Sequence, residues 1–303
     1  MLNPIHLRTL QECVRTGSFA DAGRALGYTA SAVSQQMVLL ERAIGAPLFE
    51  RSARSARSTA LAVRLAERSR DALGALESLE REVRAMVAGE EGSLRLASFA
   101  TANARVLPEV LAAVISQRPS AEVQLDEGEP DEVIDGVLEG ALDAAVVFEY
   151  DLDPRQWPVD LCVQELLAEP LRLALPGTHP LAGCAEVDLH RLAGDNWICT
   201  RQDTAGARSL VRLTAAAGFV PQITFRSNDY SVIRDLVARD LGVAVLPGLA
   251  IPDDRVRVVR IAGWQPHRRV KVLHRKQNTN PLLPIALEQL TKSCATVADA
   301  WEG

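Results

Sequence analysis

From the N-terminus to about residue 88 the apolar positions recur at helical spacing; beyond residue 93 they fall into short runs separated by turn residues. Asn3-Pro4 places an N-cap residue before a proline at the first helical position. Leu7, Leu10 and Val14 then follow at i, i+3 and i+7, so one face of this first helix is buried. Gly17 ends it. Ser18, with Asp21 three residues on, is a capping-box variant that opens a second helix with Phe19, Ala22 and Leu26 on its apolar face. Gly27-Tyr28-Thr29 forms a tight turn, and Thr29 caps a third helix from about Ala30 to Ile44. Its buried stripe is Val33, Met37, Leu40 and Ile44.

The opposite face of that third helix carries Ser31, Ser34, Gln35 and Val38, where a solvated helix would carry Glu and Lys. Short hydroxyl and amide side chains approach base edges and phosphates closely, and Gln can pair with adenine in the major groove. Two short helices joined by a three-residue turn form a helix-turn-helix; a generic three-helix bundle is the plainer alternative. Arg51, Arg54 and Arg57 follow at every third position among Ser and Ala. This predicts a two-stranded wing whose guanidinium groups meet phosphates or a minor groove, against the alternative of a solvated basic loop.

From about Ala60 to Ala88 one long helix is predicted. Ala62, Leu65, Ser69, Ala72, Leu76, Leu79, Val83 and Met86 alternate at spacings of three and four, a heptad seam that suits a partner helix. Glu77–Arg81 and Glu80–Arg84 stand at i,i+4 on its exposed side. A helix packed along its own domain is the alternative. Gly89-Glu90-Glu91-Gly92 ends it, and strands then alternate with helices for more than 200 residues. Strands are predicted at Leu94–Phe99, Val123–Leu125, Ala144–Phe148, Leu171–Leu175, Trp197–Thr200, Ile223–Arg226, Val243–Leu246, Val256–Val259 and Val270–His274. Such alternation implies α/β architecture with parallel sheets in two lobes, and a cleft outside the carboxyl ends of the strands.

Composition narrows the classes. The chain has 303 residues, 48% hydrophobic and 24% charged, as in an ordinary globular protein of about two domains. No apolar run approaches a membrane span, and Met1–His6 lacks the basic segment and apolar core of a signal peptide. Five scattered cysteines without Cys-x-x-Cys argue against a disulfide scaffold or thiolate metal site and fit a reducing cytoplasm. The net charge of −6 hides an asymmetry: residues 1–60 hold seven Arg against four acids. A small basic head on an acidic body suits a two-part DNA-binding regulator.

Catalytic chemistry is not expected. The five histidines are dispersed, and there is no Gly-x-Gly-x-x-Gly, Walker loop or Gly-x-Ser-x-Gly. No metal ligand set and no cofactor is predicted. Asp126-Glu127 and Glu129 read as a solvated strand end, and Cys199 as a buried small residue rather than a redox sensor. The candidate ligand positions are those leaving strand ends: Ser98, Phe99, Ala100 and Thr101 in lobe one, and Thr200 and Arg201 in lobe two. Phe148 and Glu149 would line the wall. A helix N-terminus after Ala100 and the Arg201 fork favour a carboxylate, and Glu149 an amino group, pointing to an amino acid or related organic acid. Alternatively, Arg201 pairs with Asp203 at the surface.

The head carries Leu7-Arg8, Gly17-Ser18-Phe19, Ala22, Leu26, Ser31-Ala32-Val33-Ser34-Gln35-Gln36, Leu40-Glu41, Gly45 and Pro47-Leu48-Phe49-Glu50-Arg51. With these spacings the chain resembles the LysR-type transcriptional regulators over essentially its whole length. The body matches more loosely through Leu107-Pro108, Gly140-Ala141-Leu142-Asp143, His179-Pro180-Leu181 and Leu241–Pro247. The resemblance implies a winged helix-turn-helix over residues 1–59 and a linker and dimerisation helix over 60–91. An α/β effector domain like a periplasmic binding protein follows over 92–303, with lobe one at about 92–163 and 268–303 and lobe two at about 164–267. It further implies double-stranded DNA with an interrupted inverted repeat, a small-molecule effector, RNA polymerase, and a homodimer or dimer of dimers in the cytoplasm. The family's ligand-contact loop falls on Ser98–Thr101. The chain departs from the family at Ala30, where members carry Gln, and in the stretch Ser58–Ala62. A transport-type binding protein would explain only the lobes, and an α/β enzyme would leave them without a nucleophile, metal or cofactor motif.

Overall fold

A computed structural model describes residues 2–51, 56–88, 92–251 and 256–302. The chain forms two compact units, Met1–Arg84 with Leu138–Ala141, and Ala85–Val137 with Leu142–Gly303.

The first unit contains α1 (Pro4–Thr16), α2 (Phe19–Leu26), α3 (Ala30–Ile44), β1 (Phe49–Arg51), β2 (Ala56–Ser58) and α4 (Ala60–Ala88). The caps are those the sequence predicts. Asn3 accepts from the Ile5 N–H at 2.9 Å, Ser18 from Asp21 at 3.3 Å and Thr29 from Ala32 at 3.1 Å. Each satisfies an amide that the helix itself leaves open. Leu7, Leu10, Ala22, Val33, Met37 and Leu40 close the core between the helices. The turn into α3 is possible because residue 23 is glycine: a Cβ there would lie 2.7 Å from the Tyr28 carbonyl oxygen. β1 and β2 pair antiparallel with Phe49 opposite Ser58 and Arg51 opposite Ala56, the predicted wing.

The long helix divides its seam. Ala62, Ala66 and Leu73 pack into the core of the head, and Gln11 Nε2 donates to Ser69 Oγ at 3.0 Å. Farther along, Leu79 is 55% exposed and Val83 49%. Ala72 is exposed as well. The N-terminal half therefore packs one face on its own head, with Leu61 and Val63 outward, and the later turns present Leu79 and Val83 outward. Glu80 pairs with Arg84 at 3.3 Å as expected, whereas Glu77 is taken by Arg8 of α1.

The second unit runs β3 (Ser93–Ser98), α5 (Ala100–Arg105), α6 (Leu107–Gln117), β4 (Glu122–Glu127), α7 (Pro130–Glu139), β5 (Ala144–Tyr150) and β6 (Leu161–Leu175). It continues with β7 (Glu186–Val187), β8 (Asn196–Cys199), α8 (Ala205–Ala216), β9 (Gln222–Arg226), α9 (Tyr230–Ala238) and β10 (Ala244–Pro247). It closes with β11 (Arg257–Ile261), β12 (His267–Arg275) and α10 (Leu283–Glu302). The main sheet has the order β4-β3-β5-β12-β6-β11-β7, with β10 also paired to β6; β8 and β9 form a second, parallel pair.

The expectation of parallel sheets holds for β3, β4 and β5, but β12 runs antiparallel to β5 and β6, and β10 and β11 antiparallel to β6. The reason is β6. Over 15 residues it leaves the β12 ladder and enters the β10 and β11 ladders, so it passes from one lobe to the other instead of closing a βαβ crossover. Sequence reading starts this strand only at Leu171, because Pro170 signals a break. Pro170 is tolerated because it stands where β6 changes partners: it is opposite His267, the first residue of β12, and Leu171 is opposite Pro247.

Candidate functional site: the helix-turn-helix face and the ligand cleft

On α3, Ser31 and Gln35 are exposed and Ser34 and Val38 half-buried, with the neighbouring Leu39 50% exposed. This outer stripe is uncharged until Arg42, which is exposed. Arg57 is exposed on β2; Arg51 is the last residue of β1, and Arg54 lies outside the described residues. One contact not anticipated from the sequence fixes the wing to the helix. Glu41 Oε1 accepts from the backbone N–H of Leu48 at 2.8 Å and of Phe49 at 3.2 Å, so the carboxylate of α3 caps the start of β1. Thr9, fully buried on α1, bonds Gln36 Oε1 from beneath and fixes the rotation of α3.

The chemistry of the second unit is set by strand register. Arg268 of β12 stands opposite Tyr150 on β5 and Glu169 on β6, so the three side chains share one face. Arg268 is 1% exposed and Glu169 fully buried, and they form an ion pair through Arg268 Nε. Arg268 Nη2 donates to Thr101 Oγ1 at 2.7 Å, and the Leu249 N–H donates to the other Glu169 oxygen at 2.7 Å. The guanidinium carbon lies 4.8 Å from the ring centre of Phe99 and 4.9 Å from that of Phe148, and the two rings meet edge to face with centres 4.8 Å apart, so the cation rests against the pair. Desolvation opposes the charge on Arg268, but Glu169 beside it outweighs this and raises its pKa.

Around this group Tyr150 and Tyr230 face each other with hydroxyls 3.3 Å apart. Burial raises both phenols, so both remain protonated at neutral pH. Thr200 Oγ1 and Thr204 Oγ1 are 2.7 Å apart, and Thr204 caps α8 by accepting from Ala207. A cleft of about 550 Å³ opens above, with Thr101, Glu129, Asn228, Tyr230 and Arg234 on its walls. Its size suits a metabolite. Solvent still reaches Glu129, yet the surrounding protein raises its carboxyl above the ordinary range; Arg268 opposes the shift, and Glu132, Asp131 and Glu127 add to it.

Of the sequence-predicted ligand positions, Phe99, Ala100 and Thr101 line this cleft, and Phe148 and Thr200 join them in an adjoining pocket of about 30 Å³ beside Arg268. Ser98 is fully buried and turns its carbonyl to the Gly128 N–H at 3.0 Å. Glu149 is on the other face of β5, where Lys271 and the Arg155 N–H hold its carboxylate. Arg201 is exposed and does not line the cleft; its backbone N–H donates to Asn228 Oδ1 at 2.9 Å. Strand alternation decides the first case, and a turn placed one residue early the second. The helix after Phe99 is only six residues long and ends at Arg105, so its dipole is a weak basis for an anion site. Arg268 and Glu169 were missed because cross-strand register is invisible in one sequence, and Tyr230 and Asn228 because they stand at the start of α9 and in the turn before it, away from any strand end. Among the described residues there is no cluster of three or more metal-ligating side chains.

Two families match the chain: the bacterial regulatory helix-turn-helix protein, lysR family, over residues 5–70, and the LysR substrate binding domain over residues 88–295. A small neutral protease regulatory protein of Streptomyces coelicolor is 32% identical over 257 residues, 83% of this chain and 76% of that protein. A probable hydrogen peroxide-inducible genes activator of Mycobacterium avium is 27% identical over 288 residues, covering 90% of this chain and 88% of that protein. Among solved structures, full-length OxyR from Pseudomonas aeruginosa aligns with a TM-score of 0.61 at 21% identity, over 99% of this chain and 97% of that one. Full-length CbnR complexed with its target DNA aligns with a TM-score of 0.56 at 24% identity, over 96% of this chain and 100% of that one.

Proposed function

The chain belongs to the LysR family of transcriptional regulators, and from that premise we propose which of its residues read DNA and which read the signal. It is a DNA-binding regulator controlled by a small-molecule effector. Ser31, Ser34, Gln35 and Val38 face the major groove, and Arg51, Arg54 and Arg57 the phosphates or the minor groove beside it. The partners are an interrupted inverted repeat near a promoter, RNA polymerase, and further copies of the chain in a dimer or dimer of dimers. The cell compartment is the cytoplasm, and the chain carries out no catalysis. The work divides at residues 59 and 91 into head, linker helix and effector body.

The effector lies in the large cleft against Phe99, Ala100 and Thr101 and borders the small pocket lined by Phe148, Thr200 and Arg268. One observation carries this assignment. A buried Arg–Glu pair packed against two phenylalanines lies at a pocket of about 30 Å³ that shares Phe99, Thr101, Glu129 and Tyr230 with the adjoining cleft of about 550 Å³, an expensive arrangement where apolar packing would serve stability better. Because Glu169 already neutralises Arg268, the guanidinium orients and stacks more than it attracts charge. An amino acid or related organic acid remains the proposed class, with Glu129, not Glu149, as acceptor for an amino group. Gel shift with the DNA upstream of the gene, repeated with compounds that raise the melting temperature, tests the whole assignment. DNA binding unaffected by every stabilising compound would sink the effector role.

Two further outcomes are expected. Arg57→Ala weakens binding to operator and random DNA alike and flattens the dependence of log affinity on log salt by about one unit. Gln35→Ala instead alters preference at particular bases; identical losses on both DNAs for both variants would show that the roles are misassigned. The second outcome concerns peroxide, which the names of some relatives suggest. Burial pushes the Cys13 and Cys294 thiols up to about 12 and raises Cys199 as well, which suppresses the thiolate that peroxide oxidises. Hydrogen peroxide at signalling concentrations should leave the gel shift unchanged within minutes. A shift reversed by dithiothreitol would make the protein a redox sensor.

A further inference from the structure

Ala174 of β6 and Leu246 of β10 lie on the sheet face that packs against Ile233 and Val237 of α9. Arg172 stands two residues before Ala174 and so is on the same face. Its partner across the antiparallel ladder is Arg260 of β11, and the next pair on that face is Ala174 with Val258. Arg260 is exposed and Val258 38% exposed, so the cover given by α9 ends before this margin of the sheet. Two arginines therefore stand directly opposite each other. Like charges in that position weaken the pairing of strands.

No ion pair offsets them. Arg172 is half-buried, and its Nη1 donates to Gln265 Oε1 at 3.3 Å and to the Leu171 carbonyl at 3.5 Å, both neutral acceptors. Burial and the neighbouring Arg260 both push its pKa down, and no carboxylate acts against them. Glu186 of β7 flanks Arg260 on the other side, yet the two form no ion pair among the described residues. Other arginines of the same sheet are matched: Arg268 pairs with Glu169, and Arg269 with Asp151 and Glu165. An unneutralised, half-buried guanidinium facing a second one is short of an anion.

The surroundings hold Arg172 ready for one. The segment that carries Gln265 is fixed at both ends, where the Ala262 N–H donates to the Val187 carbonyl at 2.9 Å and the Leu171 N–H to the Pro266 carbonyl at 3.1 Å. Gln265 therefore steadies one nitrogen of Arg172, and Nε and Nη2 bond to no other described residue. Two opposed guanidinium forks suit a tetrahedral oxyanion. Phosphate presents an edge of two oxygens to each fork and carries about two negative charges at neutral pH, which balances the pair. A carboxylate has one such edge and one charge, enough for a single arginine.

We propose that Arg172 and Arg260, with Gln265 positioning the first, form a phosphate-binding site on lobe two. Its ligand is the dianion of inorganic phosphate or of a phosphate monoester. None of the three residues lines the effector cleft, so the site is a second input that does not depend on the cleft assignment. Trp264, next to Gln265 and 58% exposed, offers a ring surface for the organic part of a monoester.

The test titrates inorganic phosphate into the full-length protein, followed by calorimetry and melting temperature, with ionic strength held constant by chloride. Expected are saturable binding and a rise in melting temperature that chloride alone does not give. Arg260→Gln should weaken phosphate binding about ten-fold or more, the loss of charge-assisted hydrogen bonds. The same variant should melt higher than the unaltered protein when phosphate is absent, because the facing like charge is gone. Arg172→Gln should lose phosphate binding likewise. A solvated arginine pair with no ligand would show no saturable phosphate binding in the unaltered protein, and that result overturns the proposal. So does acetate binding as tightly as phosphate. Phosphate binding that survives Arg260→Gln but is lost in Arg57→Ala would belong to the DNA-binding face and overturns it as well. Phenyl phosphate separates the two sources. Tighter binding than inorganic phosphate, with the gain removed by Trp264→Ala, supports a monoester; equal binding supports inorganic phosphate.

Discussion

Arg268→Met is expected to destabilise the effector body by about 3–5 kcal/mol, because it strands the Glu169 carboxylate in a fully buried position. Methionine keeps most of the side-chain volume, so a cavity contributes little and the cost is electrostatic. Three further contacts disappear with the guanidinium: the donation to Thr101 and the stacking on Phe99 and Phe148. For a body of this size, each kcal/mol lowers the melting temperature by roughly 2–4 °C, so a fall of about 6–20 °C should be seen by calorimetry. The decisive comparison is the double variant Arg268→Met with Glu169→Gln, which removes both charges. It should recover most of the lost stability, since a neutral amide still accepts from the Leu249 N–H. Its response to effector should nevertheless remain absent, because the small pocket adjoining the cleft no longer carries a stacked cation. Equal melting temperatures for single and double variants would show that stacking and packing, rather than the unpaired charge, govern the site.

How far the sequence revealed this molecule differs between the two units. In the head every relation that matters is local. Caps at Asn3, Ser18 and Thr29, and a buried stripe on α3, are set by residues a few positions apart, and periodicity reads them directly. What escaped there was the Glu41 carboxylate reaching seven and eight residues ahead to the wing amides. In the body the decisive relations span the chain. Glu169 and Arg268 are 99 residues apart and meet only because β6 and β12 pair in that register. Phe148 and Glu149 illustrate the limit most sharply. Both were visible as a strand end near the cleft, yet a strand alternates its side chains, and which of the two faced the ligand depended on the neighbouring strands. Arg201 differs for a simpler reason: the chain turns after Thr200, so that Thr200 and then Thr204, Ala205 and Gly206 reach the pocket while Arg201 is exposed.

The second large effect is expected at the outer turns of α4. Leu79 and Val83 stand at i,i+4 on one side of the helix and are 55% and 49% exposed, an apolar pair of the kind that a partner helix covers. The seam predicted from Ala62 onward narrows toward this stretch, because its first members Ala62, Leu65 and Ser69 already pack against the head. Leu79→Glu combined with Val83→Glu therefore leaves the fold of the head intact while placing two like charges where the partner helix would lie. Sedimentation should show a protein of 32.8 kDa in place of a dimer or tetramer. Binding to an inverted repeat should fall roughly a thousand-fold or more toward the non-specific level, since one head engages one half-site and forfeits the contacts of the other. Affinity for random DNA should change little, because phosphate contacts by Arg57 and its neighbours do not depend on a partner. The helical content and the melting transition of the head provide the control for folding. A variant that sediments as before, with operator binding retained, would move the principal interface off α4 and onto the exposed faces of the body, where Ile115, Val211 and Phe225 are the first apolar positions to alter next.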